Sequence, residues 1–161
     1  MRVVELTYDP ELKLEFHRGR RLETWARRYR RAFDAKDVAL AEPRLRWGRL
    51  FNEWFTAGHY AKQGYHVLVG KYQFPEAHPK KAERFAEVAP SRVVDLPIHT
   101  PRFGRRQGPD LFVYKPSGEW FFVETKSPGE RITPGARELF REIERRSAGK
   151  EIVLARVVPK R

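Results

Sequence analysis

Two carboxylates and an amine stand at the ends of two short apolar segments. Asp110 comes directly before residues 111–114, while Glu124 and Lys126 lie at the end of residues 120–126. Carboxylates can hold a hard divalent cation, and a nearby amine can assist an attacking water or stabilise charge on a phosphate. The residue types therefore indicate a site for metal-assisted hydrolysis of a phosphate ester.

The segment between these residues predicts a β-hairpin. Residues 115–119 contain Pro and Gly between two runs rich in aromatic and β-branched residues, which is typical of a turn between antiparallel strands. A hairpin centred on Ser117 places Asp110 opposite Glu124, with Cβ atoms about 4.5 to 5.5 Å apart and Lys126 diagonally adjacent. Carboxylates that close repel each other unless a cation lies between them or one is protonated. Mg²⁺ is the expected cation, and Mn²⁺ should substitute for it.

A simpler interpretation of the three charges stays open at this point. They could be ordinary strand-end residues whose lysine forms a salt bridge on a solvated face. Against this, the aromatic residues at positions 112, 114, 120 and 122 share the face and predict burial up to the point where the charges begin. His59 and His66 flank the predicted site, and either is a candidate general base.

The composition favours a polyanionic partner. The chain has 33 Lys and Arg against 21 Asp and Glu, a formal net charge of +12 and a pI near 10.3. Such a surplus favours nucleic acid, because neutralised phosphates release condensed counterions. Acidic proteins and anionic membranes are alternative partners. The absence of cysteine excludes disulfides, thiolate zinc sites and thiol nucleophiles.

The length and hydropathy predict a cytoplasmic protein of one domain. The 161 residues suit a single core. No apolar run approaches the roughly 20 residues needed to cross a membrane. The first residues also lack the apolar stretch of a signal peptide.

The first 43 residues predict an arm and a basic helix. Residues 3–16 mix apolar and charged side chains and predict an irregular arm or an edge strand. From Arg20 to Phe33, apolar residues recur at steps of three and four, which indicates an amphipathic helix. Its other faces are basic, and Arg27 and Arg28 are candidate phosphate contacts.

Residues 44–161 predict the core of the domain. A helix is expected from just after Pro43 to about residue 63, with an apolar stripe that includes Trp47 and leaves Glu53 on its shoulder. A strand follows at residues 65–74, with alternate side chains on opposite faces.

A Pro-rich insertion at about residues 75–107 separates that strand from the hairpin. It contains a short helical candidate near residues 80–88 and an apolar patch at 93–96 that predicts an edge strand. Further candidate phosphate contacts in and after the insertion are Arg102, Arg105, Arg106 and Arg131.

The last part of the chain predicts a helix and a closing strand. Thr133 followed by Pro134 gives an N-cap with Pro at the first helical position, and the helix should end before Gly149. Residues 152–158 are almost entirely apolar and predict a buried strand.

These motifs resemble those of the PD-(D/E)XK nuclease superfamily. Pro109-Asp110 is similar to the first half-motif and Glu124-Thr125-Lys126 to the second. The surroundings are most similar to the VRR-NUC branch and the archaeal Holliday junction resolvases. The residues that resemble this branch are Gly108-Pro109-Asp110-Leu111, Val123-Glu124-Thr125-Lys126-Ser127-Pro128 and Arg131-Ile132-Thr133.

The resemblance covers residues 45–158 and implies a fold. This is a restriction-endonuclease-like α/β core, with a mixed central sheet flanked by helices in the order α-β-β-β-α-β. Here an extra basic helix would precede it. The whole of residues 1–161 would then form a single nuclease domain.

The resemblance also implies roles for individual residues. Asp110, Glu124 and the backbone carbonyl of Thr125 would bind the metal, and Lys126 would assist the attacking water. Many members add an acidic ligand from the first core helix, and Glu53 stands at the matching position.

Some assignments stay open. Glu23 and Glu42 compete with Glu53, which could instead be a solvated surface glutamate. VRR-NUC members often have Gln early in the helix after the second half-motif, where this chain has Ala136. The neighbouring Arg137 could supply a phosphate contact instead.

The expected function is a Mg²⁺-dependent endonuclease that hydrolyses phosphodiester bonds in DNA, with junctions or flaps as candidate substrates. The alternatives are a non-catalytic nucleic-acid-binding module and a ribonuclease that uses the same site. Junction-resolving relatives are commonly dimers, because two incisions need two sites, so a homodimer is a further expectation.

Overall fold

A five-stranded mixed sheet lies at the centre of the protein. The computed structural model describes residues 1–94 and 108–161. The strands are β1 (Arg2–Tyr8), β2 (His66–Val69), β3 (Leu111–Tyr114), β4 (Trp120–Lys126) and β5 (Val153–Pro159). Their order across the sheet is β1-β5-β4-β3-β2. β5 runs parallel to both of its neighbours, whereas β3 runs antiparallel to β2 and β4, so the predicted α/β class with a mixed sheet is confirmed.

Helices cover both faces of this sheet. They are α1 (Pro10–His17), α2 (Leu22–Arg28), α3 (Ala35–Leu45), α4 (Phe51–Lys62), α5 (Pro79–Val88), α6 (Ser91–Val94) and α7 (Pro134–Arg146). The first four contribute to one apolar core and the last three to a second core on the opposite face. In the described ranges, no helix has the length and apolar character needed to span a membrane.

Strict alternation of side chains assigns the strands to the two cores. Val67 and Val69 of β2 lie in the core beneath α4, whereas Leu68 between them lies in the core beneath α7. Phe112 and Phe122 also lie in the α7 core. The alternation predicted for β2 is therefore confirmed, and both faces are apolar because helices cover both. The predicted extent of residues 65–74 is wrong, because β2 ends at Val69, Gly70 has a positive φ, and Lys71–Gln73 form a 3-10 helix.

The hairpin register is the predicted one. Leu111 pairs with Val123, and Tyr114 with Trp120, so the pairing is centred on Ser117. The turn is closed by the N–H of Lys115, which donates to the carbonyl of Glu119 at 2.8 Å. Continuing this register by one residue places Asp110 opposite Glu124.

The predicted C-terminal helix and strand are also confirmed. The Thr133 side chain accepts a hydrogen bond from the N–H of Ala136, and Pro134 occupies the first turn of α7. α7 buries Leu139, Phe140 and Ile143 against the sheet, and β5 follows as an interior strand, between β1 and β4.

The single helix predicted from Pro43 to residue 63 is wrong. Pro43 lies inside α3, and α4 begins only at Phe51. Gly48 (φ 67°) and Leu50 (φ 76°) adopt left-handed backbone conformations between the two helices, which breaks the helical hydrogen-bond pattern. Trp47 therefore does not join the apolar stripe and is 68% exposed.

The N-terminal prediction is corrected in detail. The arm forms the edge strand β1 followed by α1, which Asp9 caps. The basic helix ends at Arg28 instead of continuing to residue 33. A capping box between Asp34 and Asp37 begins α3 soon afterwards. Between the two helices the N–H of Phe33 donates to the carbonyl of Tyr29, so both side chains are buried at helical spacing although the helix has ended.

The insertion is described only up to residue 94. Its predicted helix is confirmed as α5. The predicted edge strand at residues 93–96 is wrong for Val93 and Val94, which lie in α6 with their N–H groups bonded to the carbonyl of Pro90. Residues 95 and 96 lie outside the described residues.

Candidate active site

A cleft of about 430 Å³ lies where β3 begins and β4 ends. The N-terminal turn of α4 forms its opposite wall, because Phe51, Asn52 and Glu53 all line it. The acidic residues that line the cleft are Glu53, Asp110, Glu124 and Glu130, and they surround Thr125 and Lys126. The structure thus brings all the predicted catalytic and metal-binding residues into one cleft.

Asp110 is held by hydrogen bonds on three sides. Its Oδ2 accepts from the N–H of Thr125 at 2.8 Å and from the Thr125 hydroxyl at 2.7 Å. Its backbone carbonyl accepts from the N–H of Gly70 at 3.0 Å. The buried Tyr72 hydroxyl donates to the preceding carbonyl, that of Pro109, at 2.6 Å. Among the described residues no donor reaches Oδ1, so this oxygen is free for a further ligand.

The role of the Thr125 side chain was missed from the sequence. The resemblance implied only a backbone carbonyl for this residue. Its N–H and hydroxyl orient Asp110, and Thr125 itself is only 5% exposed. The sequence signal for this contact is the hydroxyl residue that directly follows Glu124 near the end of β4.

Lys126 is the cation nearest to Glu124. Its Nζ donates to Glu124 Oε1 and lies 3.7 Å from Glu130 Oε1. Glu130 is itself fixed, because its Oε2 accepts from the N–H of Ser127 at 3.0 Å. Burial lowers the pKa of Lys126, but Glu124 and the other carboxylates outweigh this effect, and the net pKa is raised. Lys126 is therefore a charged ammonium within the cleft.

Burial and mutual repulsion raise the pKa values of the carboxyl groups. Burial first, and then the charge of Asp110, raise the pKa of Glu124 to about 8 and that of Glu53 to about 7. Burial also raises the pKa of Asp110. If fully ionised, these carboxylates would have more negative charge than Lys126 alone compensates. The donor set consists of hard oxygens, which fits Mg²⁺ or Mn²⁺.

A second acidic cluster lies elsewhere in the protein. In residues 1–94 and 108–161, the trio of potential ligands whose atoms all lie within 4.8 Å of one another is Asp34, Asp37 and His78. Lys81 Nζ lies 2.6 Å from Asp37 Oδ1 and already supplies a positive charge there. His78 Nδ1 accepts from the N–H of Lys81, so its Nε2 is the nitrogen that donates to Asp34. This partly buried ion-pair network joins α3 to α5, with Asp34 at its exposed end.

The cations that line the cleft differ from the predicted ones. Lys13, Arg44 and Arg49 line it together with Lys126. The predicted phosphate contacts Arg27, Arg28, Arg131 and Arg137 are exposed but do not line the cleft. Arg102, Arg105 and Arg106 lie outside the described residues. Arg44 and Arg49 could have been found from their position just before the helix that contains Glu53, whereas no sequence signal links Lys13 to the site.

The competing residues lie away from the cleft. His66 pairs with Tyr114 at the end of β3 opposite to Asp110, and His59 contacts Gln63. Glu23 and Glu42 are exposed on α2 and α3. None of the four lines the cleft, so Glu53 is the acidic residue that the structure places beside Asp110.

No protein-family model, no curated protein and no solved structure matches the chain. The residues and geometry of the cleft are therefore the basis for a proposed function.

Proposed function

We propose that this protein is a divalent-metal-dependent endonuclease that hydrolyses phosphodiester bonds in DNA, built on a restriction-endonuclease-like core. The observation that supports this most directly is the cleft shared by Asp110, Glu124, Glu53 and Lys126. Apart from α5 and α6, which lie between β2 and β3, the elements follow one another as α4-β2-β3-β4-α7-β5. This order supports the proposed core, because it is the order that the resemblance implies.

Asp110 and Glu124 are the proposed principal metal ligands. Thr125 holds one oxygen of Asp110 and leaves the other for the metal. Glu53 reaches the same cleft from α4. A bound Mg²⁺ would lower the pKa of an attacking water and polarise the scissile phosphate. Relief of repulsion among the carboxylates is the physical reason for metal binding.

Lys126 is the proposed catalytic cation. It stands beside Glu124 with an ammonium that can donate to an attacking water or to a phosphate oxygen. Glu130 stabilises its charged form and limits where the side chain can move. A point charge held this way favours the transition state, in which negative charge builds up on the phosphate.

Positive charge supports a nucleic acid as the proposed substrate, and DNA is the nucleic acid that the resemblance implies. Lys13, Arg44 and Arg49 line the same cleft as the acidic centre, so phosphates next to the scissile bond can meet positive charge. The formal net charge of +12 favours association with a polyanion over a larger area. The cleft thus combines a centre suited to a metal with a rim suited to phosphates.

Strand breakage with and without divalent metal tests the proposal. Supercoiled plasmid should be nicked or linearised in Mg²⁺ or Mn²⁺ and left intact in EDTA. Matched RNA and DNA oligonucleotides should show cleavage of the DNA. Cleavage of RNA alone would indicate a ribonuclease, and salt-sensitive binding without any cleavage would indicate a binding module; either result would contradict the proposal.

Lys126→Met should lower the cleavage rate by about 10²- to 10³-fold, the range found when one preorganised charge-stabilising donor is removed. Single-turnover cleavage of a labelled duplex measures this loss. Lys36→Met is the matched control, because Lys36 is exposed on α3 and does not line the cleft. Wild-type cleavage by Lys126→Met would exclude the proposed role.

Glu53→Gln should raise the Mg²⁺ concentration for half-maximal cleavage by about 10- to 100-fold, the range found for residues that support a metal site. The reason is that Glu53 adds negative charge next to Asp110. A metal titration of the cleavage rate measures the shift. Glu42→Gln removes an exposed carboxylate and should leave the titration unchanged; if both variants behave alike, Glu53 is not a metal ligand.

A further inference from the structure

An exposed tryptophan stands beside the cleft. Trp47 is 68% exposed, whereas Trp25, Trp54 and Trp120 are at most 8% exposed. Burying an indole is strongly favourable, so an exposed tryptophan is a candidate for ligand binding. The proposed nuclease chemistry makes no use of it.

Trp47 does not itself line the cleft, but its neighbours in the chain do. Its N–H donates to the carbonyl of Arg44 at 3.2 Å, and Gly48 follows it directly. Arg44, Gly48 and Arg49 all line the cleft. Gly48 and Leu50 both have positive φ, so the turn that presents Trp47 is sharply bent. Trp47 thus lies between residues that border the acidic centre.

The surroundings of Trp47 are cationic. The guanidinium of Arg46 lies over the indole, 5.2 Å from the ring centroid, which is cation–π geometry. Arg44 and Arg49 stand three residues before and two residues after it. An aromatic face surrounded by cations is the arrangement by which proteins bind single-stranded nucleic acid, because bases stack on the ring and phosphates meet the cations.

We propose that Trp47 is a stacking platform for an unpaired nucleobase of a DNA substrate. This inference rests on the proposed function, since it takes DNA as the ligand of the cleft. Bases inside a duplex stack on one another and do not present a free face, whereas bases in a flap, a junction centre or a single strand do. Stacking on Trp47 therefore favours substrates that have unpaired nucleotides next to the scissile bond.

A protein partner fits the same surface less well. One indole flanked by three arginines offers little apolar area, whereas a stable interface buries about 800 Å² per partner. Charge complementarity favours a polyanion at this position. The ligand that fits this surface best is therefore DNA with unpaired bases, either single-stranded or branched.

Binding measurements in EDTA test the proposal without requiring cleavage. The probes are a fluorescein-labelled 12-nucleotide single strand of thymidines and a 12-base-pair duplex. Trp47→Ala should weaken binding of the single strand by about 5- to 100-fold, the range expected for loss of one base–aromatic stack. It should change duplex binding by less than about twofold. Trp47→Phe keeps an aromatic face and should recover most of the single-strand affinity.

Tryptophan fluorescence gives a second, direct readout. The single strand should quench the emission of the wild-type protein, because only Trp47 among the four tryptophans is exposed. In Trp47→Phe the remaining tryptophans are buried and should be quenched little. Equal quenching in the two proteins would overturn the proposal.

Other outcomes are equally decisive. Equal weakening of duplex and single strand by Trp47→Ala would mean that Trp47 does not select unpaired bases. A change in sedimentation on Trp47→Ala would indicate an interface between two copies of the chain. Either result would overturn the stacking role. Because binding is measured in EDTA, a selective loss of single-strand affinity would support the platform even if the protein proved unable to cleave DNA.

Discussion

Asp110→Asn is expected to lower the rate of DNA cleavage in Mg²⁺ by about 10³- to 10⁴-fold, because loss of a principal metal ligand removes several kcal/mol of transition-state stabilisation. The substitution is chosen so that the fold is kept. The amide oxygen of Asn can still accept the two hydrogen bonds from Thr125 that Asp110 Oδ2 accepts. Only the charge, and with it the metal affinity, is lost.

Thermal unfolding separates this loss from misfolding. Without metal, Asp110→Asn should unfold at the wild-type temperature or higher, because a buried negative charge has been removed from a repulsive cluster. Adding Mn²⁺ should stabilise the wild type by mass action and have little effect on the variant. Glu23→Gln removes an exposed carboxylate and should behave as wild type in both measurements. Wild-type cleavage by Asp110→Asn would refute the metal-dependent mechanism.

Lys81→Met should destabilise the protein by about 3 to 5 kcal/mol, the range for breaking one side of a buried ion pair. Lys81 is 6% exposed, and its ammonium donates to Asp37 Oδ1 at 2.6 Å and to the carbonyls of Ala32 and Val69 at 3.4 Å. Removal of the ammonium leaves Asp37 as a buried, uncompensated carboxylate. The free energy of unfolding from urea titrations measures the effect.

Two further variants separate charge from packing at this position. Lys80→Met removes an exposed lysine from the same helix and should change stability by less than about 0.5 kcal/mol. Asp37→Asn combined with Lys81→Met removes both charges and should recover a large part of the lost stability. If the double variant is as unstable as Lys81→Met alone, packing of the lysine stem is the main contribution.

The central elements could be predicted because local patterns and tertiary structure agree there. The aromatic and β-branched runs on each side of Ser117 specify both the strands and their register. Thr133 and Pro134 mark the start of α7, since cap chemistry is local. The alternation around Leu68 also predicted that successive residues of β2 lie on opposite faces of the sheet. The hairpin register alone predicted that Asp110, Glu124 and Lys126 lie close together.

The remaining features depend on tertiary contacts that local patterns do not contain. The break between α3 and α4 interrupts a periodic apolar pattern, because Leu50 adopts a left-handed conformation that its residue type disfavours. In the sequence, Lys81 cannot be distinguished from a surface lysine, because its burial depends on the packing of α3 against α5. Lys13 reaches the cleft only because α1 packs against α4. Each of these features depends on how elements distant in the sequence pack together.

The parallel pairing of β1 with β5 has a consequence for biosynthesis. Arg2 pairs with Val153, so the two strands leave the ribosome 151 residues apart. At a synthesis rate of about 5 to 20 residues per second, β1 is made roughly 8 to 30 s before β5. During that interval the hydrogen-bonding edge of the nascent strand is open to other chains. Aggregation during translation should therefore depend on how quickly residues 9–152 are synthesised, and synonymous codons that slow elongation there should lower the yield of native protein.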